Sequence, residues 1–403
     1  MIFKNINKEK IDLWINYLIV VLGLTLPISV AANNIVLGLI FILWLLAGNY
    51  RERWEIIRKN RAAIAILLFF SFQIVALLYS SDVKEGLKIL GKERLLLVMP
   101  LILSVIRRDF IPKAFSAFLF SMFVSEIISY GLYFGIYDTL PWRHDSSRHD
   151  IVPFMSHISY TPMLAFSVIL LLHRLLEEQT AKPIKMLYSL FILTMSFNIF
   201  ISGGRAGQIG FIVSILFYIG YRYRQEIKKM TLFMTLILTS VALLYLFNPS
   251  FHNRISLAYH NALKFQRNPN TSVGLRINFA INSLELIKRR PIFGYGTGSF
   301  PSEYKCINKQ LSPNFISTVQ PHNFYLLTLV QFGVIGLILL LYIFYSFWMV
   351  ALEIDDKHKS IRYTFLILFM IIMLSDSYLL GHHTTLFFVF VSSLLFKEKI
   401  ENV

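Results

Sequence analysis

A histidine, His322, stands between Pro321 and Asn323 where a polar stretch gives way to a long apolar run. Proline suits the first turn of a helix, so the residues predict His322 at a helix N-terminus on the boundary of a membrane. At about 100° per residue, Gly333 points within roughly 20° of His322, and Gly336 within roughly 40° on its other side. Small residues let membrane helices approach closely, which would turn that face, and His322 with it, inward. An imidazole held there is suited to take a proton from a hydroxyl. The plain alternative is an interfacial histidine with no chemistry.

Two arginines and a glycine-rich stretch accompany it. Arg205 lies in Ser202-Gly203-Gly204-Arg205-Ala206-Gly207 between two apolar runs, with no acid within ten residues in sequence. A guanidinium near membrane depth is costly and points to function, although an arginine at a helix end can also reach the interface. The glycines beside it would let a ligand approach the backbone closely. Arg276 follows Ser272-Val273-Gly274-Leu275 at the head of an amphipathic segment that ends in Lys288-Arg289-Arg290. Arginine forks match phosphate oxygens at two points, whereas three clustered cations suit anionic headgroups better. After Pro291 the chain runs through Gly294, Gly296 and Gly298, a stretch of flexible backbone. Arg94, beside Lys92 and Glu93, is a further candidate for holding phosphate.

Other polar groups invite the thought of a metal: His144, Asp145, His149, Asp150 and His157 in one loop, and Asp376, His382 and His383 near the C-terminus. Their spacings match no compact site, and polar loops are the simpler reading. The segments expected outside the membrane on the His322 side carry no clustered acidic pair of the kind that holds Mg²⁺ or Mn²⁺. They also lack a phosphate-binding P-loop and a nucleophilic serine elbow. The expectation is chemistry on an anionic leaving group, with no metal and no cofactor.

Membrane helices must position these groups. The 403 residues are 56% hydrophobic, and the mean hydropathy is +0.59. Apolar runs of roughly 15 to 25 residues, the length that crosses a bilayer, recur throughout. The pattern predicts an all-α polytopic membrane protein with twelve spans: 13–30, 34–47, 62–79, 95–106, 112–134, 157–173, 185–201, 207–221, 230–247, 322–350, 362–380 and 383–396. That divides the chain into nine spans over 1–247, a large helical outer loop over 248–321, and three spans over 322–403. The net charge of +16 does not indicate nucleic acid, because 23 of the 39 Lys and Arg fall in turns on one side. By the positive-inside rule that side is cytoplasmic and holds both termini. Cys306 is the single cysteine, so no intramolecular disulfide forms. No cleavable leader is expected, because 11–30 runs straight into a second apolar stretch.

At this point the residues resemble a known family. His322-Asn323, nine residues, then Gly333-Val334-Ile335-Gly336 is similar to the H-[NSQ]-x9-G-x-x-G pattern of O-antigen ligases, the WaaL-type enzymes. Arg205 and Arg276 resemble that family's arginines after the seventh span and in the large loop, and Gly294-Tyr295-Gly296 resembles its glycine turn. The resemblance implies an inner-membrane glycosyltransferase of the metal-independent C-type, with its active site on the periplasmic face. It would move a glycan from undecaprenyl diphosphate to a sugar hydroxyl of lipid A–core. Arg205, Arg276 and His322 would be catalytic. Arg94, Asn323, Gly294 and Gly296 would contact the diphosphate or glycan. Alternatives within the superfamily are an O-antigen polymerase and a protein O-oligosaccharyltransferase. A lipid-linked sugar transporter is the alternative outside it, for which helices broken at mid-membrane would be a sign.

Overall fold

The computed structural model describes residues 8–143, 146–148, 150–247, 249–263 and 270–397. Among these residues the protein is helical, with no β-strand. α1 (Lys8–Thr25) and α2 (Val30–Ala47) pack as a hairpin, and α3 (Tyr50–Lys59) meets α4 (Arg61–Leu77) at 95°. α5 (Val83–Glu93) leads through a 3-10 turn into α6 (Val98–Val105). α7 (Ile111–Tyr133), α8 (His157–Glu177), α9 (Lys182–Ile201), α10 (Arg205–Arg222) and α11 (Ile227–Phe247) follow. The long polar segment folds as α12 (Pro249–Leu263), α13 (Ser272–Arg289) and α14 (Phe300–Leu311). α15 (Phe324–Glu353), α16 (Lys359–Ile372) and α17 (His382–Leu395) complete the chain. Several starts are capped by a side-chain oxygen that accepts an amide hydrogen of the first turn: Ser29 for α2, Asn60 for α4, Asp82 for α5, Thr271 for α13 and Asn323 for α15.

Each of the twelve expected spans falls on helix, but their lengths are uneven. By length and composition, six described helices are able to cross a membrane: α2, α7, α8, α9, α11 and α15, with α3 and α4 together making a seventh if the bent pair is one span. α16 and α17 have 14 residues each, which is about 21 Å of helix against about 30 Å of hydrocarbon. Their surroundings explain the apolar sequence. Residues Thr384 to Leu395 of α17 are all buried in protein, whereas α11 has no buried residue. An apolar stretch therefore marks either lipid contact or protein core, and sequence alone does not separate them. The core between α7, α8, α16 and α17 is largely phenylalanine. Phe369 and Phe388 approach to 4.9 Å between ring centroids, Phe118 and Phe387 to 5.7 Å, and Phe166 and Phe365 to 5.2 Å.

Four of the turns that the charge pattern groups on one side meet in space. Arg108, Arg174, Lys357, Arg362 and Lys397 come from four different turns and line one cleft, at the end of the bundle away from His322.

α15 is not continuous. Gly333 has φ 61° and ψ −161°, so the helix breaks there. The glycine-rich stretch 291–298 closes the break. Tyr295 and Gly296 donate their amides to the carbonyls of Val330 (3.0 Å) and Gln331 (2.7 Å), and Gly298 donates to Oε1 of Gln331. On the far side, Val334 donates to Pro291 O (2.8 Å) and Ile335 to Ile292 O (3.4 Å). Backbone groups that a broken helix would leave orphaned in a membrane are thereby paired. The gap is filled by this chain's own backbone, which is not the arrangement of a transporter's open mid-membrane site.

Glu93, at the end of α5, is 1% exposed beside the Gln73 amide. Burial pushes its carboxyl from an ordinary 4.5 up to about 8. The folded protein therefore keeps a proton that the unfolded chain releases, so stability falls as pH rises from about 4.5 to about 8 and levels off above that. Glu93→Gln is expected to flatten that fall in detergent melting curves. Parallel pH slopes for the two proteins would refute it.

Candidate functional site

His322 does not sit inside a helix. α15 begins at Phe324, and Asn323 is its cap, with Oδ1 accepting from the Leu326 amide at 3.0 Å. His322 precedes the cap with φ 52°, a left-handed conformation that costs a non-glycine residue on the order of 1–2 kcal/mol. Pro321 therefore lies ahead of the helix and not in its first turn. Angles counted from His322 to Gly333 along one helix do not apply either, because the helix starts later and breaks at Gly333.

The neighbours of His322 explain its pose. The Asn323 Nδ2 donates to Leu374 O (3.0 Å) and the Phe324 amide to Met373 O (2.9 Å), which ties the start of α15 to the turn after α16. That turn carries Asp376, whose Oδ2 lies 3.4 Å from Nδ1 of His322. The pair is within ion-pair range but is not aligned for a hydrogen bond, and Nδ1 has no hydrogen-bond partner among the described residues. The Asp376 carboxylate is almost fully buried, and its Oδ1 accepts from the Ser377 amide at 2.7 Å. Asp376, set aside in the sequence as part of a polar loop, thus stands against His322. Only the turn that brings 373–376 back onto 323–324 makes the pair, and 54 residues separate the two in sequence.

The Phe279 ring stacks on His322 at 6.0 Å and 22° between planes. Phe279 lies three residues after Arg276 on α13, hence on the same face of that helix. Arg276 is exposed and makes no hydrogen bond or ion pair among the described residues. Its charge reaches Tyr378, two residues past Asp376. Burial pushes the Tyr378 phenol up, the Asp376 charge adds to this, and Arg276 draws it partly back. α13 is held to α14 by a buried polar network in which Asn282 donates to Asn308 Oδ1 (3.1 Å) and Ser312 donates to Asn278 Oδ1 (2.8 Å).

Arg205 begins α10, directly after the turn at Gly203 (φ 85°). A Cβ at Gly204 would come within 2.3 Å of Thr161 Oγ1, and one at Gly207 within 2.1 Å, so the start of α10 is pressed against the first turn of α8. Ser156, Ile158 and Ser159, at that same start of α8, line a cleft of about 320 Å³ together with Asp376, Tyr378 and Gln320. The packing of Gly210 on Leu368 and Ile372 of α16 places Arg205 at the end of the bundle where Asp376 and His322 lie.

The remaining expected contacts divide. Arg94 is exposed and is not on the cleft wall, while Lys92 and Glu85 of the same segment line it. Gly294 and Gly296 are packed against protein. A Cβ on Gly294 would meet the Gln331 backbone at 2.5 Å, and one on Gly296 the Ser80 backbone at 2.5 Å. Both amide ends of Asn323 are engaged by the chain itself. The geometry makes these three residues framework for the site. Gly336 faces the Phe332 side chain one turn back, where a Cβ would meet it at 2.1 Å. The motif spacing is thus a ruler: nine helical residues, about 13.5 Å of rise, separate the histidine from the break that seats the glycine loop.

Of the loop histidines and acids, His144, Asp145 and His149 lie outside the described residues, and Asp150 pairs with Arg143. His383 Nδ1 lies 2.9 Å from the Leu26 carbonyl.

Comparison with known proteins adds two findings. An uncharacterised protein of Haemophilus influenzae is similar to this chain, at 23% identity over 350 residues that cover 84% of each. Residues 190–341 match the family described as O-antigen ligase. That stretch runs from within α9 past the break in α15, takes in Arg205, Arg276 and His322, and indicates a function of O-antigen ligase or polymerase type. By this match the chain is similar to the O-antigen ligase family over residues 190–341.

Proposed function

We propose that the protein is an O-antigen ligase that transfers a glycan from undecaprenyl diphosphate to a sugar hydroxyl of lipid A–core, at the periplasmic face of the inner membrane and without a metal. The observation that carries this reading is the Phe279 stack, which sets the Arg276 face of α13 against the His322–Asp376 pair. In the reaction, the acceptor oxygen forms its bond to the anomeric carbon as the bond from that carbon to the diphosphate oxygen breaks. The electron pair leaves with the diphosphate, where Arg276 and Arg205 offset the developing charge. The acceptor's proton passes to the ring nitrogen of His322 that faces away from Asp376, and inversion follows from the single displacement. Asp376, 3.4 Å from the other nitrogen, stabilises the charged ring as it forms, the electrostatic role that a buried carboxylate plays beside a catalytic histidine.

Purified protein, lipid-diphosphate-linked glycan and lipid A–core, mixed in EDTA, are expected to give glycosylated acceptor on a gel. Arg276→Ala is expected to lower the rate by about 10²–10³-fold, and full activity in that protein would sink the assignment. Lengthening of the lipid-linked glycan with no product on the acceptor would make the protein a polymerase. Asp376→Asn is expected to lower kcat roughly tenfold or more with little change in KM, since the carboxylate stabilises the charged ring and does not hold substrate. An unchanged kcat would remove Asp376 from the mechanism.

A further inference from the structure

The cleft at the opposite end of the bundle lies apart from the proposed transfer site, yet it is built like a site. Its volume is about 230 Å³, and it lies between the start of α7, the end of α8, the α15–α16 turn and the end of α17. Two acids line it and both are engaged. Asp356 receives Arg362 through both guanidinium nitrogens at 2.8 and 2.7 Å, and Glu178 lies 4.0 Å from Lys357. Arg174 is different. It is 9% exposed, and its Nη2 meets only neutral oxygens, the Pro112 carbonyl (3.3 Å) and the Ser116 hydroxyl (3.1 Å), with no acid partner among the described residues. Arg108, at the rim, likewise meets only the Lys397 carbonyl, at 3.3 Å.

A buried guanidinium without a counter-charge is strongly disfavoured, so Arg174 favours an anion in this cleft. A second observation points the same way. His173 lines the cleft at 1% exposure, its Nδ1 lies 3.2 Å from the Tyr218 hydroxyl, and its Nε2 has no hydrogen-bond partner among the described residues. Guanidinium forks and an imidazole lining one small cavity suit the oxygens of a phosphate. The other wall is apolar, formed by Phe115, Leu170 and Leu394 among others. It lies at the end of membrane-crossing helices, where headgroups are found, and basic pockets between such helices take anionic lipid.

We infer that this cleft binds the phosphate and glycerol of an anionic glycerophospholipid, whose acyl chains run out along the apolar helices. The test uses full-length protein released from nanodiscs of equal phosphatidylglycerol and phosphatidylcholine, with retained lipid counted by native mass spectrometry. Wild type is expected to keep phosphatidylglycerol about tenfold over phosphatidylcholine, and Arg174→Gln to lose about that preference. Should Arg174→Gln fail to fold, Lys357→Gln on the half-exposed wall decides, with an expected fall of about threefold. Equal retention of the two lipids by wild type, or undiminished preference in the folded variants, overturns the inference. Displacement of the retained lipid by excess inorganic phosphate also overturns it, in favour of a soluble phosphate ligand.

Discussion

His322→Ala is expected to lower transfer by about 10²–10⁴-fold, the range for losing a positioned general base. The size follows from what surrounds the ring. Phe279 covers one face, Asp376 stands against Nδ1, and the side chain is 29% exposed, which leaves an open side for the acceptor. Removing the imidazole leaves both arginines in place, so donor binding should persist while proton removal does not. Backbone strain complicates alanine here, because φ at 322 is 52°. Asparagine tolerates that conformation and cannot take the proton. His322→Asn is therefore expected to melt within a few degrees of wild type and to be as inactive as His322→Ala. Rates measured with saturating donor decide it, and substantial activity in the folded asparagine protein would mean that His322 only fills space.

Gly333→Ala is expected to be among the most damaging substitutions that leave every proposed reacting group intact. With φ at 61°, an L side chain is strained. A Cβ would also lie 2.2 Å from Ile292 O and 2.3 Å from Ile292 C. Those atoms are backbone and cannot rotate away, so either the 291–298 loop undocks or α15 shifts. Undocking exposes the amides and carbonyls that this loop now pairs, and each buried polar group left unpaired costs about 1–3 kcal/mol. Strain and lost pairing together put the expected loss at roughly 3 kcal/mol or more. Gly38→Ala in α2 is the control, since nothing lies within 4 Å of its added Cβ, and it should be neutral to slightly stabilising. Detergent melting and limited proteolysis within the loop read both, and a Gly333→Ala protein as stable and as protease-resistant as wild type would show that the break is not required.

The chain by itself determined the helical membrane class and the positions of the apolar segments, and it singled out Arg205, Arg276 and His322 as candidates. It could do so because hydropathy, glycine turns and isolated cations in apolar surroundings are local signals. The described residues of 248–321 include the helices α12, α13 and α14, with Arg276 near the start of α13. Tertiary structure decided the rest. Whether an apolar helix meets lipid or protein depends on its neighbours, as the wholly buried stretch of α17 and the exposed α11 show. The conformations at His322 and Gly333 depend on hydrogen bonds to 373–374 and 291–298, segments remote in sequence, so a helical wheel drawn through them gave wrong directions. Asp376 looked like loop polarity because its partner comes from a different turn, and only packing makes a carboxylate and an imidazole neighbours. Local physics sets which residues are available, and long-range closure of the backbone sets which of them meet.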